Sequence, residues 1–142
     1  GRIFTIRLED GDILPGCLEK FAREHYVKRG FCIYLGGINK ESTVVIGPED
    51  GQEMPPEPME LKLSEVHEVV GVGTLFPDKE GNPKLHSHAA FGRENTTITG
   101  CIRPGIIAWK TVEIVLIEIS GMYYGTRIFD PATKFSLLEP EE

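Results

Sequence analysis

Two histidines one residue apart, His86 and His88 in Leu85-His86-Ser87-His88-Ala89-Ala90-Phe91, are the residues of this sequence best suited to chemistry. On a strand, residues two apart project to one face, so the pair presents two imidazoles side by side. A second β-favouring run, Thr96 to Ile102, follows Gly92-Arg93-Glu94-Asn95, a tetrapeptide of turn character. A hairpin closed symmetrically on that tetrapeptide puts Phe91 opposite Thr96, His88 opposite Thr99 and His86 opposite Cys101. Directly opposed residues have Cβ atoms about 5 Å apart. From there a thiolate and an imidazole reach one metal, with zinc–sulfur bonds of about 2.3 Å and zinc–nitrogen bonds of about 2.0–2.1 Å. His86, His88 and Cys101 are therefore the candidate ligands, and zinc the expected occupant. Calcium or magnesium, which prefer oxygen donors, would be poorly served. The competing reading is two half-exposed polar residues on a strand face. A one-residue bulge in the turn would send Cys101 to the other face and end the argument.

Other reactive side chains read more plainly. His25 lies in a helical pattern and His67 stands beside Glu68 on a strand, both as surface or structural residues. Cys17 and Cys32 sit in apolar patterns as small core hydrophobes. Glu113, in Thr111-Val112-Glu113-Ile114-Val115, faces solvent on an alternating strand, or else serves the metal as a partner or general base. Trp109 and the Tyr123-Tyr124 pair read as core or interface aromatics. There is no nucleophile elbow or phosphate loop, and Gly71-x-Gly73 lacks the helix that a dinucleotide loop requires.

These residues need elements to hold them. Ile3 to Leu8 predicts a strand ending in the turn cluster Glu9-Asp10-Gly11-Asp12. A helix follows, with Asp12 as N-cap and Pro15 in its first turn. Leu14, Cys17, Leu18, Phe21 and Ala22 recur at helical spacing, and Gly30 follows Lys28 and Arg29 as C-cap. Phe31 to Leu35 reads as a buried strand closed by Gly36-Gly37, and Ser42 to Ile46 as another strand. Gly47 to Pro58, with four prolines, reads as a surface loop. Val66–Phe76, Leu85–Phe91, Thr96–Ile102, Trp109–Ser120, Tyr123–Phe129 and Phe135–Leu138 read as further strands, the first curved or bulged at its glycines. The tail from Glu139 reads as frayed. One helix with seven or eight strands predicts an α+β fold, the helix covering a mainly antiparallel sheet.

The 142 residues, 40% hydrophobic and 26% charged, suit a single domain over 1–142 with its own core. The formal charge of −7 argues against phosphate-driven nucleic-acid binding, which is powered by Lys and Arg. Three cysteines are too few for a disulfide framework, no apolar run approaches the ~20 residues of a membrane span, and no signal-peptide core is seen. The expected compartment is the cytoplasm.

Taken together, the chain resembles the Plants and Prokaryotes Conserved domain, the domain that follows AT-hooks in plant nuclear proteins, as a stand-alone prokaryotic-type member. The resemblance rests on the Gly11-Asp12 turn, the helix ending at Arg29-Gly30, Leu35-Gly36-Gly37, Pro83 to His88, Gly100 to Gly105, and Thr111 to Val115. The family usually carries Gly-Gly-His-Leu where this chain has Thr99-Gly100-Cys101-Ile102, so Cys101 stands where the resemblance implies a third histidine. That exchange keeps a metal-ligand role. The resemblance further implies a homotrimer joined through sheet surfaces, and DNA binding by analogy, although no Arg-Gly-Arg-Pro hook is present. Three functions follow: a zinc-binding oligomeric module with a binding or regulatory role; a zinc-dependent hydrolase or lyase with an open fourth position and Glu113 or Glu68 as base; and a DNA-binding protein.

Overall fold

A computed structural model describes residues 1–121 and 124–141. The elements run β1 (Ile3–Leu8), β2 (Ile13–Leu14), α1 (Gly16–Glu24), β3 (Gly30–Ile38), β4 (Thr43–Pro48), β5 (Pro58–Lys62), β6 (His67–Pro77), β7 (Pro83–Arg93), β8 (Thr96–Cys101), β9 (Ile106–Glu118), β10 (Gly125–Phe129) and β11 (Ser136–Pro140). The main sheet is ordered β1-β9-β3-β6-β7-β8-β4-β5, with β2 paired to β9, and β10 and β11 form a separate antiparallel hairpin. This is the predicted α+β fold. The strands outnumber the prediction because β2 is only a dipeptide and β5, Pro58-Met59-Glu60-Leu61-Lys62, lacks the β-branched residues that mark a strand.

The helix is shorter than its periodicity predicts. Asp12 does not cap it: Asp12 accepts the Glu9 N–H at 2.8 Å, and Ile13 and Leu14 go into β2 before α1 begins behind Pro15. Its C-terminal end falls at Glu24, because Tyr26 takes a left-handed conformation (φ 57°) and Val27 then turns into the core. Gly30 opens β3 rather than capping a helix. The predicted apolar stripe holds: Leu18 and Ala22 are buried, with Cys17 and Phe21 packed beside them.

Helix and core lie on one face of the sheet. Cys32, Tyr34, Val69, Ala89, Phe91, Val112, Ile114 and Leu116 point inward, as strand alternation dictates. The segment Phe31–Leu35 is therefore not buried on both sides: Ile33 and Leu35 stay about half exposed (51% and 52%) on the outer face, with Val70 (63%) and Val72 (46%) beside them. Gly36-Gly37 does not end β3 but carries a register shift against β9. Gly47, Pro48 and Pro58 leave the predicted loop for strands, and Glu139 and Pro140 belong to β11 rather than a frayed tail. Of the predicted strand Tyr123–Phe129, Tyr123 lies outside the described residues.

Candidate metal centre

The two imidazoles leave β7 on its outer face. Between them Ser87 points inward, where its hydroxyl donates to the Val72 carbonyl (2.9 Å) and accepts from the Tyr34 hydroxyl (2.6 Å). That buried pair fixes the pleat of β7, and with it the direction of His86 and His88. The Tyr34 ring fits because position 71 is glycine: a Cβ there would strike the ring. Glu19 of α1 accepts the Leu85 N–H (3.0 Å), tying the strand to the helix just before the histidines.

The β7–β8 turn is tighter than the symmetric reading assumed. Only Glu94 and Asn95 form it, Glu94 with φ 56°, and Arg93 pairs with Thr96. The pairing is thus displaced by two residues: His88, not His86, faces Cys101, and Ala90 faces Thr99. A displacement of two preserves the face, whereas one would have reversed it. Thr74 of β6 faces His86 on its other side. Cys101 is held by Gly100, whose missing side chain lets the Val45 backbone approach, and by the Val45↔Cys101 pairing with β4.

The structure brings all three predicted residues together. The Nε2 atoms of His86 and His88 are 3.0 Å apart, and one donor atom each from His86, His88 and Cys101 lies within 4.8 Å of the others. Tetrahedral zinc with bonds of this donor type spaces its nitrogens about 3.3 Å and nitrogen from sulfur about 3.6 Å, so rotamer adjustments of about 1 Å suffice. Burial, followed by the proximity of His88, Arg127 and Arg103, holds His86 below the usual imidazole range, in the neutral form a metal needs.

The carboxylates weighed as bases are elsewhere. Glu113 lies on β9, three strands from β7, about 14 Å at the usual strand spacing. Glu68 faces Gly92, four residues along β7 from His88, or about 13 Å. His67 is buried and bonds the Glu65 carbonyl through Nδ1 at 2.8 Å, a structural role, and His25 stacks on Phe21 at the helix end (centroids 4.1 Å). Cys32 is buried, its thiol pushed up to about 11 by desolvation. Trp109 and Tyr124 are partly exposed, Tyr124 under the Arg29 guanidinium. Sequence reasoning missed Arg127 and Arg103, which stand beside the histidines. Arg103 had only the signal of a turn, and Arg127 none, since its place depends on where the β10–β11 hairpin folds.

An α+β domain whose antiparallel sheet carries two histidines and a cysteine at one strand pair is the class that this fold and site define. The family model of the Plants and Prokaryotes Conserved domain matches residues 1–120, and the chain belongs to that family. Among curated proteins the chain is similar to the bifunctional protein GlmU of two Synechococcus strains, 32% identical over 143 aligned positions in JA-3-3Ab and 33% over 135 in JA-2-3B'a(2-13). These matches take in 99% and 94% of this chain but only 21% and 19% of the relatives, so the chain spans about a fifth of their length. Its fold is similar to that of a metal-containing protein from Archaeoglobus fulgidus (TM-score 0.79, 21% identity, 96% of this chain and 92% of that one). It is equally similar to a plant- and prokaryote-conserved protein from Pyrococcus horikoshii (0.79, 19%, 98% and 94%). A candidate DNA-binding protein from Bacteroides thetaiotaomicron shares the fold as well (0.78, 16%, 98% and 92%). Among the described residues, no helix is long and apolar enough to cross a membrane.

Proposed function

We propose that residues 1–142 form one Plants and Prokaryotes Conserved domain that binds zinc through His86, His88 and Cys101 and acts as an oligomeric binding or regulatory module. The observation that carries this reading is the meeting of three soft or borderline donor atoms within 4.8 Å. Two imidazoles and a thiolate favour zinc over hard cations, and three protein ligands leave a fourth position for an exogenous group. The metal-containing Archaeoglobus protein of the same fold adds support. So does the similarity to a short stretch of much longer bifunctional proteins, which is the pattern of an appended module.

The module is a homotrimer in this reading. Ile33, Leu35, Val70 and Val72 leave an apolar sheet face open, lining a hollow of about 560 Å³ that His88 and Glu113 border. Exposed apolar patches of this kind serve as interfaces. His88 thereby sits on the rim between subunit contact and metal.

The test is metal analysis of the purified protein with mass measurement in solution. One zinc per chain, lost in His86→Ala, supports the reading. A protein without transition metal under zinc-replete conditions, unchanged by His86→Ala, refutes it. The hydrolase or lyase reading ranks lower because Glu113 and Glu68 both stand far from the trio within one chain. DNA binding rests on the names of neighbours below 25% identity, against a charge of −7. Affinity for DNA that falls steeply with salt would revive it.

A further inference from the structure

Beside the trio opens a cavity of about 970 Å³, between the outer face of β7 and β8 and the β10–β11 hairpin. Its charge is opposite to that of the chain. Twenty-two acidic residues outweigh fifteen basic ones overall, yet the described residues lining this cavity include Lys84, Arg103, Arg127 and Lys134 against the single carboxylate of Glu19. The Glu19 carboxylate is already engaged by the Leu85 N–H.

Arg127 is the telling residue. It is 5% exposed, and its guanidinium donates through Nε to the Lys84 carbonyl (3.3 Å) and through Nη2 to the Thr74 carbonyl and hydroxyl (both 3.1 Å). All three acceptors are neutral. Among the described residues Arg127 makes no ion pair, and Nη1 has no partner. No described side-chain nitrogen is both sealed and unpartnered, so Nη1 keeps access to the cavity. The Glu19 carboxylate is near enough to favour this charge but forms no ion pair with it, and a buried cation so weakly compensated gains when an anion joins it. Arg103, two residues past Cys101 in the turn that follows β8, lines the same cavity, and its guanidinium lies over the Phe135 ring at 5.3 Å. Two cationic forks thus flank the donor trio. The remaining wall is mostly apolar, including Met54, Pro56 and Leu138, with the hydroxyls of Thr133 and Ser136 among it.

We infer that this cavity binds a small organic anion, its carboxylate or phosphate group received by Arg127 and Arg103 next to His86 and its apolar body lying against the hairpin. Guanidinium groups recognise both oxyanions through paired N–H donors, and the volume suits a small ligand. The inference rests on the zinc reading for one element only, the open fourth position that the anion would share. Lys84 and Arg103 lie within residues 1–120, which carry the family match, whereas Arg127 and Lys134 lie beyond them, so only half of the cationic wall belongs to that common segment.

Calorimetric titration of the full chain, zinc-free and zinc-loaded, with phenylphosphonate and with phenylacetate tests it, benzylamine serving as the cationic control. Expected is one-to-one binding of at least one acid and none of benzylamine, weakened tenfold or more in Arg127→Gln with zinc content unchanged. The tighter acid identifies phosphate or carboxylate as the preferred group. If zinc loads but neither acid binds, or Arg127→Gln binds as tightly, the inference is overturned while the metal reading survives. If zinc fails to load but an acid binds and is lost in Arg127→Gln, the metal reading falls and the anion site stands. Because Arg127 also ties the hairpin to the sheet, circular dichroism checks the fold of the variant. Should it not fold, the exposed pair Arg103→Gln/Lys134→Gln carries the test, with at least threefold weakening expected and unchanged affinity overturning the inference.

Discussion

The Nε2 of His86 stands 3.0 Å from the Nε2 of His88, within hydrogen-bonding distance. Two imidazoles so placed cannot both be charged without repulsion, and a metal that takes both lone pairs relieves the arrangement. Removing either ring, or Cys101, should therefore lower zinc affinity by two orders of magnitude or more in chelator competition. Zinc at about a hundredfold above its dissociation constant should stabilise the wild-type fold by about 2.7 kcal/mol, a shift absent from His88→Ala. Binding should also weaken as pH falls, since protons compete for the same three atoms.

The glycine at position 100 is a second point of control. A methyl there meets the Val45 backbone and Val44 Cγ1 (2.6 Å). Gly100→Ala should cost about 1–3 kcal/mol in denaturant titration and should weaken zinc binding too, because β4 and β8 cannot separate without moving Cys101.

Tyr34→Phe removes the donor to Ser87 while leaving the Ser87–Val72 bond in place. The expected loss is about 1 kcal/mol of stability. A loss above about 3 kcal/mol would mean that the hydroxyl does more than hold β7.

Cys32 sets an alkaline limit. Its folded thiol ionises at about 11 against an ordinary 9.0, so between these values the folded state holds a proton that the unfolded state has released. Stability then falls as pH rises from about 9 and levels off beyond about 11. Denaturation midpoints across that range check this, and Cys32→Ala should remove this share of the slope.

Val70, 63% exposed at the centre of the apolar outer face, tests the trimer. Val70→Asp should convert a trimeric mass to a monomeric one in light scattering, with the monomer still folded by circular dichroism. A wild-type protein already monomeric at micromolar concentration removes the trimer from the proposal.

Much of this protein was legible in local sequence, for reasons that differ by residue. Leu18 and Ala22 announced the buried helix stripe through period 3.6, and His86 and His88 announced a shared face through period 2. The end of the helix was not legible, because the left-handed turn at Tyr26 carries no glycine. Nor was the register at Cys101, since both a four-residue and a two-residue turn fit Gly92-Arg93-Glu94-Asn95. The strand after it keeps the same face in either case.

Local alternation depends only on backbone geometry, so the sequence alone determined which donors exist and which side of the sheet they share. Tertiary structure decided that Cys101 pairs with His88, that Glu113 and Glu68 stay distant, and that Arg127 returns to Thr74 across the hairpin. The first depends on which of two turns closes the β7–β8 hairpin, and the others on how elements distant in the chain pack together, so no local pattern encodes them.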